Sequence, residues 1–536
     1  MKTWSMRGLP TKPLVSALLA VSFVAVSGFA DSGKPSDGGP VPLTVPKATC
    51  GPNDHPETAL QGQVPAALRA AGFKGFNCNL ELIGQSKGEG ANWQTTEFRT
   101  GQSRICAYHG TAAPSRSLPG RTHFGVPVID ITEPSAPTPT GYLTTISMLD
   151  PWESLKVNER RQLLAADNGQ NGGAGPEVDI YDLSGDCRFP QLLASVAVGK
   201  ADGSTGIPAA ITGHEGAWAP DGLTYYGGDL REFQYYAVDT TDPTKPTLIT
   251  TFHTPFGLGP PYANVHGLSI SDDGNRAYFV TAVYSSFVDF ANLSNPNVIP
   301  NNGLIIADVS DIQARKPNPQ VRVISKLLWK DGEAAQHTIN VKIGGKPYVI
   351  FVDEGGSGGN SPTGWQAACA AGLPAWPFAR IIDISDETKP KIVSRLMLEV
   401  NDPANCSKVL PDLVGLGSFT YGSHYCSVDN RHHATTLACG YFNSGIRVFD
   451  IRDPLRPKEI AYYNPAGTLT ASPGSNHATN GQWRAGGPDW CSAQVHLDHA
   501  RGTLWTTCQD NGLLMLKFTN GAWPFPESAT PPGQQN

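Results

Sequence analysis

Charged residues are scarce in this chain, 16% of 536, and the basic ones nowhere form a block. With a formal net charge of −7, that leaves no footing for nucleic acid, whose binding depends on neutralising phosphates. There is no HExxH motif, no CxxC and no Gly-rich phosphate loop between a strand and a helix, so zincin, thiolate-metal and nucleotide-binding readings lack their residues. The stretch GGSGGNSP from Gly355 reads as a mobile loop with no helix pattern after it. Beyond the first thirty residues no second hydrophobic segment occurs. Gly (58) and Pro (45) are plentiful without a collagen-like period, and apolar content is an ordinary 40%, which together suit an all-β protein with many turns.

The N-terminus carries Lys2, Arg7 and Lys12, then the apolar run LVSALLAVSFVAV from Leu14 to Val26, then Gly28, Phe29 and Ala30. Residues 1–30 therefore read as a secretory signal peptide cleaved after Ala30, with a retained anchor as the alternative. A secreted or periplasmic mature chain without a membrane span follows. Export makes the ten Cys disulfide formers. Three pairs bracket hairpins of similar layout and are expected to be cross-strand bonds: Cys78 with Cys106, Cys426 with Cys439, and Cys491 with Cys508. Elimination then leaves Cys369 with Cys406 and Cys50 with Cys187.

One phrase recurs six times: a β-branched run, an Asp, often a Pro, then apolar residues again. VPVIDITEPSAPTPTGYL near Asp130, YYAVDTTDPTKPTLITTF near Asp239 and GIRVFDIRDPLRPKEIAYY near Asp450 are examples, with further copies at Asp182, Asp308 and Asp383. Each is strand, turn, strand. The wording VxDIxDPxxPxxV resembles the LVIVD repeat family, and the resemblance implies an exported β-propeller far more than any particular activity. Upstream of each phrase lies an inner hairpin such as HGLSISDDGNRAYFVTAV from His266; CNLELIG with ICAYHG supplies that of the first blade, and ESLKVN with RQLLAAD that of the second. A final copy, VHLDHARGTLWTTCQDNGLLMLKF, lacks the returning strand, which the segment before Asn77 is expected to provide. The expected fold is an all-β, seven-bladed β-propeller with four-stranded antiparallel blades, six or eight blades being the alternatives. It occupies residues 75–518, with 31–74 as a segment that could close the ring and 519–536 as a flexible tail.

Aligned on their turns, four inner strands begin with the same residue: His214, His266, His337 and His424. Innermost strands line a propeller's channel, so these imidazoles should meet at one height and could ligate a transition metal, Cu or Fe before Zn. Glu153 takes the corresponding place in the second blade as a fifth ligand, a partner fixing a His tautomer, or a general base. The alternative is that each His bonds a neighbouring blade's carbonyl. His496 falls three residues out of phase with the set, and His109 and His123 border a long insertion as weaker candidates. Long connections fall on one face, around the mouth of the channel, with Trp365, Trp376, Trp483 and Trp490 either lining a pocket there or pinning loops. Two functions follow: a metal-dependent extracytoplasmic oxidoreductase acting on a small molecule, or a non-catalytic propeller binding a protein, glycan or envelope component through its looped face.

Overall fold

In the computed structural model of the protein, residues 43–100, 104–169, 178–197, 213–229, 234–253, 265–281, 302–475 and 487–525 are described. The segment read as a signal peptide, residues 1–30, lies outside them. Seven antiparallel sheets form a β-propeller. Blade 1 runs Thr95–Thr100, Arg104–His109, Val126–Asp130, Thr138–Leu143, and blade 3 runs Gly213–Trp218, Thr224–Asp229, Gln234–Asp239, Thr247–His253. Blades 2, 4, 5 and 6 begin with the inner strands Lys156–Asn158, Leu268–Ile270, Glu333–Ile343 and Cys426–Val428. Blade 7 begins with His496–Asp498.

The recurring phrase is the third strand, its turn and the outer strand. Its Asp ends the third strand and accepts the backbone N–H two residues on: Thr132 to Asp130 at 2.9 Å, Ser184 to Asp182 at 2.8 Å, Thr241 to Asp239 at 2.9 Å, Ser310 to Asp308 at 2.9 Å, Ser385 to Asp383 at 2.8 Å and Arg452 to Asp450 at 3.1 Å. A short carboxylate that satisfies the turn's amide is what makes the phrase worth repeating. Two or three residues into the pairing, each of the six copies carries a register shift, as at Val128/Ile129, Ile381/Ile382 and Val448/Phe449, which adds the twist the blades need. Between neighbouring blades the apolar faces interlock. Tyr278, Val280, Leu304 and Ile306 of blade 4, for example, pack on Val349, Phe351 and Ile382 of blade 5.

The N-terminal reading needs correction at three points. The segment Leu80–Ser86, which begins within CNLELIG, is the outer strand of blade 7, where Leu80 faces Phe518, and not the inner strand of blade 1. Blade 1 is instead opened by Thr95–Thr100, a Thr-rich polar strand that lacks the His and turn pattern of the aligned inner strands. Ring closure thus comes from residues after Asn77, not before it. Phe76–Cys78 adds a fifth strand to blade 6 against Tyr462–Asn464, and Asn79, with φ 57°, turns the chain from one blade into the next.

That rerouting also changes two disulfides. Cys78 pairs with Cys50 and Cys106 with Cys187, because Cys78 stands on the edge of blade 6, away from the blade 1 hairpin. Cys369–Cys406, Cys426–Cys439 and Cys491–Cys508 are as expected. Residues 43–74 lie along blades 5 and 6: Val45 N–H bonds Met397 O at 2.8 Å, and the buried Arg447 joins Glu459, at 3.0 Å, to Glu57. Thr519–Phe525 folds back, with Thr519 N–H on Asn79 O at 3.1 Å and Trp523 packed on Phe518. The glycine-rich stretch at Gly355 is buried rather than a solvated loop, and a helix, Pro362–Ala370, follows it, capped by the Ser361 side chain on Gly364 N–H.

Candidate metal centre

Three of the four aligned histidines converge on Glu153. Glu153 stands just before the inner strand of blade 2, its N–H bonded to His214 O at 3.0 Å, so the chain itself ties it to blade 3. Its carboxylate reaches His214 Nε2 and His266 Nε2, each at 3.3 Å, and His424 Nε2 at 3.2 Å. A second carboxylate, absent from the sequence reading, completes the cluster: Glu354, at the end of the second strand of blade 5, lies 3.4 Å from His424 Nε2 and 3.9 Å from His266 Nε2. All five residues are buried.

His337 is not among them. The inner strand of blade 5 bulges between Ala335 and His337, which inserts one residue and turns the next side chain aside. Gln336 takes the inward position and donates from Nε2 to Glu153 Oε2 at 3.0 Å. His337 faces blade 6 instead, its Nε2 lying 3.3 Å from Cys426 O and 3.4 Å from Cys426 N and its ring stacked on Tyr425 at 4.6 Å. Burial pushes it down to about 4 and keeps it neutral. The expected four-histidine set is therefore three histidines and two glutamates. Glutamate at the top of a second strand gave no alignment signal, and a bulge leaves none.

Tautomers follow from the outer partners. His266 Nδ1 lies 3.0 Å from Glu215 Oε2, and His424 Nδ1 lies 2.7 Å from the Ser492 carbonyl; each nitrogen must carry a proton, leaving both Nε2 atoms turned on Glu153 and Glu354. Glu215 in turn approaches Lys156 Nζ at 3.6 Å. Burial disfavours charge on both rings, but the surrounding carboxylates outweigh it and hold His266 up to about 9 and His424 up to about 10. Glu153 is carried well below the usual carboxylate range: burial opposes this, and His266 and His214 overcome it. His214 differs. Its Nε2 accepts the indole N–H of Trp152 at 3.0 Å, and burial, then the neighbouring His266, lowers it toward the neutral form.

The cluster fits a divalent transition metal. Donor atoms sharing one ion at bonds of about 2.1 Å stand about 3.0–3.4 Å apart, and the donors of Glu153, His214 and His266 all lie within 4.8 Å of one another, with His424 and Glu354 beside them. Glu153, Glu215 and Glu354 are buried carboxylates, and the Lys156 ammonium lies by Glu215 and acts on Glu153. Asp167 also acts on that ammonium, so with neutral imidazoles the group carries an excess of negative charge, which protons on His266 and His424 or a divalent cation would offset. Moreover, His214 Nε2 and Glu153 Oε2 are both acceptors, held 3.3 Å apart, because the proton at that nitrogen comes from Trp152. His266 Nε2 is buried without a hydrogen-bond partner.

No protein-family model and no curated protein matches the chain. Solved structures similar to it include the Myceliophteria thermophila Cps50 (Swd1) β-propeller domain, at 10% identity over 82% of this chain and all of that one, TM-score 0.44. A protein from Lactobacillus plantarum is 12% identical over 78% and 100% of the two chains, TM-score 0.44. The periplasmic gluconolactonase PpgL of Pseudomonas aeruginosa is 11% identical over 72% and 95%, TM-score 0.40. At these levels the likenesses leave the site's chemistry open.

Other candidates find structural places. Trp365 and Trp376 are buried and pin the insertion of blade 5, whereas Trp490 joins Trp93, Trp152, Phe419 and Phe442 in an aromatic cluster whose Trp93 ring lies 5.3 Å from His424. Trp483 lies outside the described residues. His496 stacks on Trp505 and meets Thr95 Oγ1 at 3.0 Å, away from the cluster. His109 is buried against Gly110 O, and His123 stacks on Tyr142 near Glu89. The run Gly355–Gly359 spells G-x-S-x-G, but among the described residues Ser357 Oγ has no hydrogen-bond partner and so no base beside it.

Proposed function

We propose that the protein is an exported metalloprotein in which Glu153, His266, His424 and Glu354, joined by His214, hold one divalent transition metal, and that this centre serves an oxidoreductase acting on a small molecule. One observation carries the reading: two imidazoles with their Nδ1 protons already committed turn both Nε2 atoms on two buried carboxylates. The mixed donor set favours iron over copper, because carboxylates are hard ligands. Bound there, such an ion supplies redox and Lewis-acid chemistry. The chain's own groups do the rest: Glu215 and the Ser492 carbonyl orient the rings, and Gln336, with Tyr425 OH 3.4 Å from Glu153 Oε2, fixes that carboxylate.

Export is supported by the signal-like N-terminus and five disulfides, and no helix among the described residues is long and apolar enough to cross a membrane. The LVIVD-like phrase agrees with it. A second reading has its own observation: protonated His266 and His424 would neutralise the carboxylates without any ion, and the propeller would then be a rigid platform binding a protein, glycan or envelope component. Metal analysis of tag-free protein from its native export compartment decides between them. The metal reading expects about one equivalent, lost in His266→Ala; substoichiometric metal unchanged in that variant overturns it.

A further inference from the structure

The indole of Trp152 and a bound metal would compete for the same electron pair. Trp152 Nε1–H donates to His214 Nε2 at 3.0 Å, and a ring nitrogen has only one lone pair to give. His214 cannot ligate while Trp152 holds it. Around this contact the backbone is pinned: Gly169 N–H bonds Asp150 O at 2.8 Å, Ser154 N–H bonds Pro151 O at 2.8 Å, and Glu153 N–H bonds His214 O. A Cβ on Gly169 would stand 2.6 Å from Trp152 Cβ, so the main chains there are in closest contact. Only the side chain is left to move.

The surroundings suit such a movement. Trp152, Phe419 and Phe442 have left-handed φ angles of 47°, 51° and 41°, a conformation that bulky residues rarely adopt and that concentrates at functional sites. They form one aromatic cluster with Trp93 and Trp490 beside the His/Glu centre, and within it Trp152 and Phe419 are only half-buried. The Arg116 guanidinium, from the insertion of blade 1, lies 4.6 Å from the Trp152 ring, giving the indole a partner toward the looped face.

We propose that Trp152 is a latch: its N–H holds His214 back in the metal-free protein, and metal binding exchanges that hydrogen bond for ligation by His214 and releases the indole from the channel mouth. The ion thereby completes its own ligand set and opens the way to itself in one step. The inference rests on the metal reading above. It differs from a packing role, in which Trp152 would stay in place whether or not an ion were bound.

The test uses metal-stripped, tag-free full-length protein titrated with Zn2+, which has no redox or paramagnetic effect on fluorescence. Bound Zn2+ is measured by equilibrium dialysis, and indole release by tryptophan emission and acrylamide quenching. Wild type should bind one equivalent with a red shift and greater quenching, both missing in Trp152→Phe. That variant should bind Zn2+ roughly three- to tenfold tighter, since a hydrogen bond of ordinary net strength no longer opposes ligation. In a His214→Ala background the residue at 152 should cease to affect affinity. As a second measurement free of substitution, wild type labelled with 5-fluorotryptophan should show a fluorine resonance that moves on Zn2+ addition. Stoichiometric Zn2+ binding with unchanged emission and unmoved fluorine resonances would overturn the latch and leave the metal reading standing. Binding of Zn2+ by Trp152→Phe no tighter than by wild type would overturn the latch as well. Absence of Zn2+ binding by wild type would overturn both.

Discussion

Replacing two protons by one metal ion should give the centre a steep pH dependence. His266 is held at about 9 and His424 at about 10 in the metal-free protein, so at pH 7 both are protonated and must be deprotonated before their Nε2 atoms can ligate. The displacements cost about two and about three powers of ten in apparent affinity, together about 7 kcal/mol. Apparent log K should therefore rise by about 2 for each pH unit below about 9. Isothermal calorimetry with Zn2+ at pH 6, 7 and 8, in buffers of differing ionisation enthalpy, reads both the slope and the number of protons released. His266→Gln, which cannot hold the proton, should lower the slope to about 1. Affinity that is flat over this range, or release of less than one proton at pH 7, would refute the charge-balance reasoning.

Four further outcomes are expected. The metal-free protein should show the opposite trend: because both histidines titrate above the ordinary 6.5, their contribution to stability is complete below that value and is lost as pH rises through about 9 to 10, so its melting temperature should fall from pH 7 to pH 10. His337→Ala should keep wild-type metal content but lose about 2–4 kcal/mol in urea denaturation, since it empties a buried, stacked position. Arg447→Ala should cost about 3–5 kcal/mol by the same measurement, because Glu57 and Glu459 are left buried without their partner. Peptide mapping without reduction should recover Cys50 linked to Cys78 and Cys106 linked to Cys187; a Cys78–Cys106 peptide would show that the N-terminal strands are misplaced.

Where a signal repeats, the sequence is readable. The Asp that closes each third strand does one local job at Asp130, Asp182, Asp239, Asp308, Asp383 and Asp450, and a job defined within two residues leaves its mark on the chain. The alignment of His214, His266 and His424 is legible for the same reason, since repeat-equivalent positions converge on one axis. The unreadable parts are those fixed by distant partners. Leu80–Ser86 belongs to blade 7 only because Gly512–Phe518 offers it an edge, and nothing near residue 80 says so. Glu354 enters the centre from a different strand position than the histidines, and the bulge at Gln336 replaces one ligand candidate by its neighbour without any change in wording.

The closure of blade 7 sets an order of events for the nascent chain. Leu80–Ser86 precedes every strand of blades 1 to 5 in the chain, yet the strand it must join, Gly512–Phe518, follows all the other strands of the propeller. Until then its N–H and C=O groups have no ladder partner, and the ring cannot shut. Pairing between the two ends of a sequence is slow to form, because a long loop must be ordered before the contact stabilises it. The strand that seals the propeller is thus also a timer, keeping the blades from closing into a ring until Gly512–Phe518 has been made.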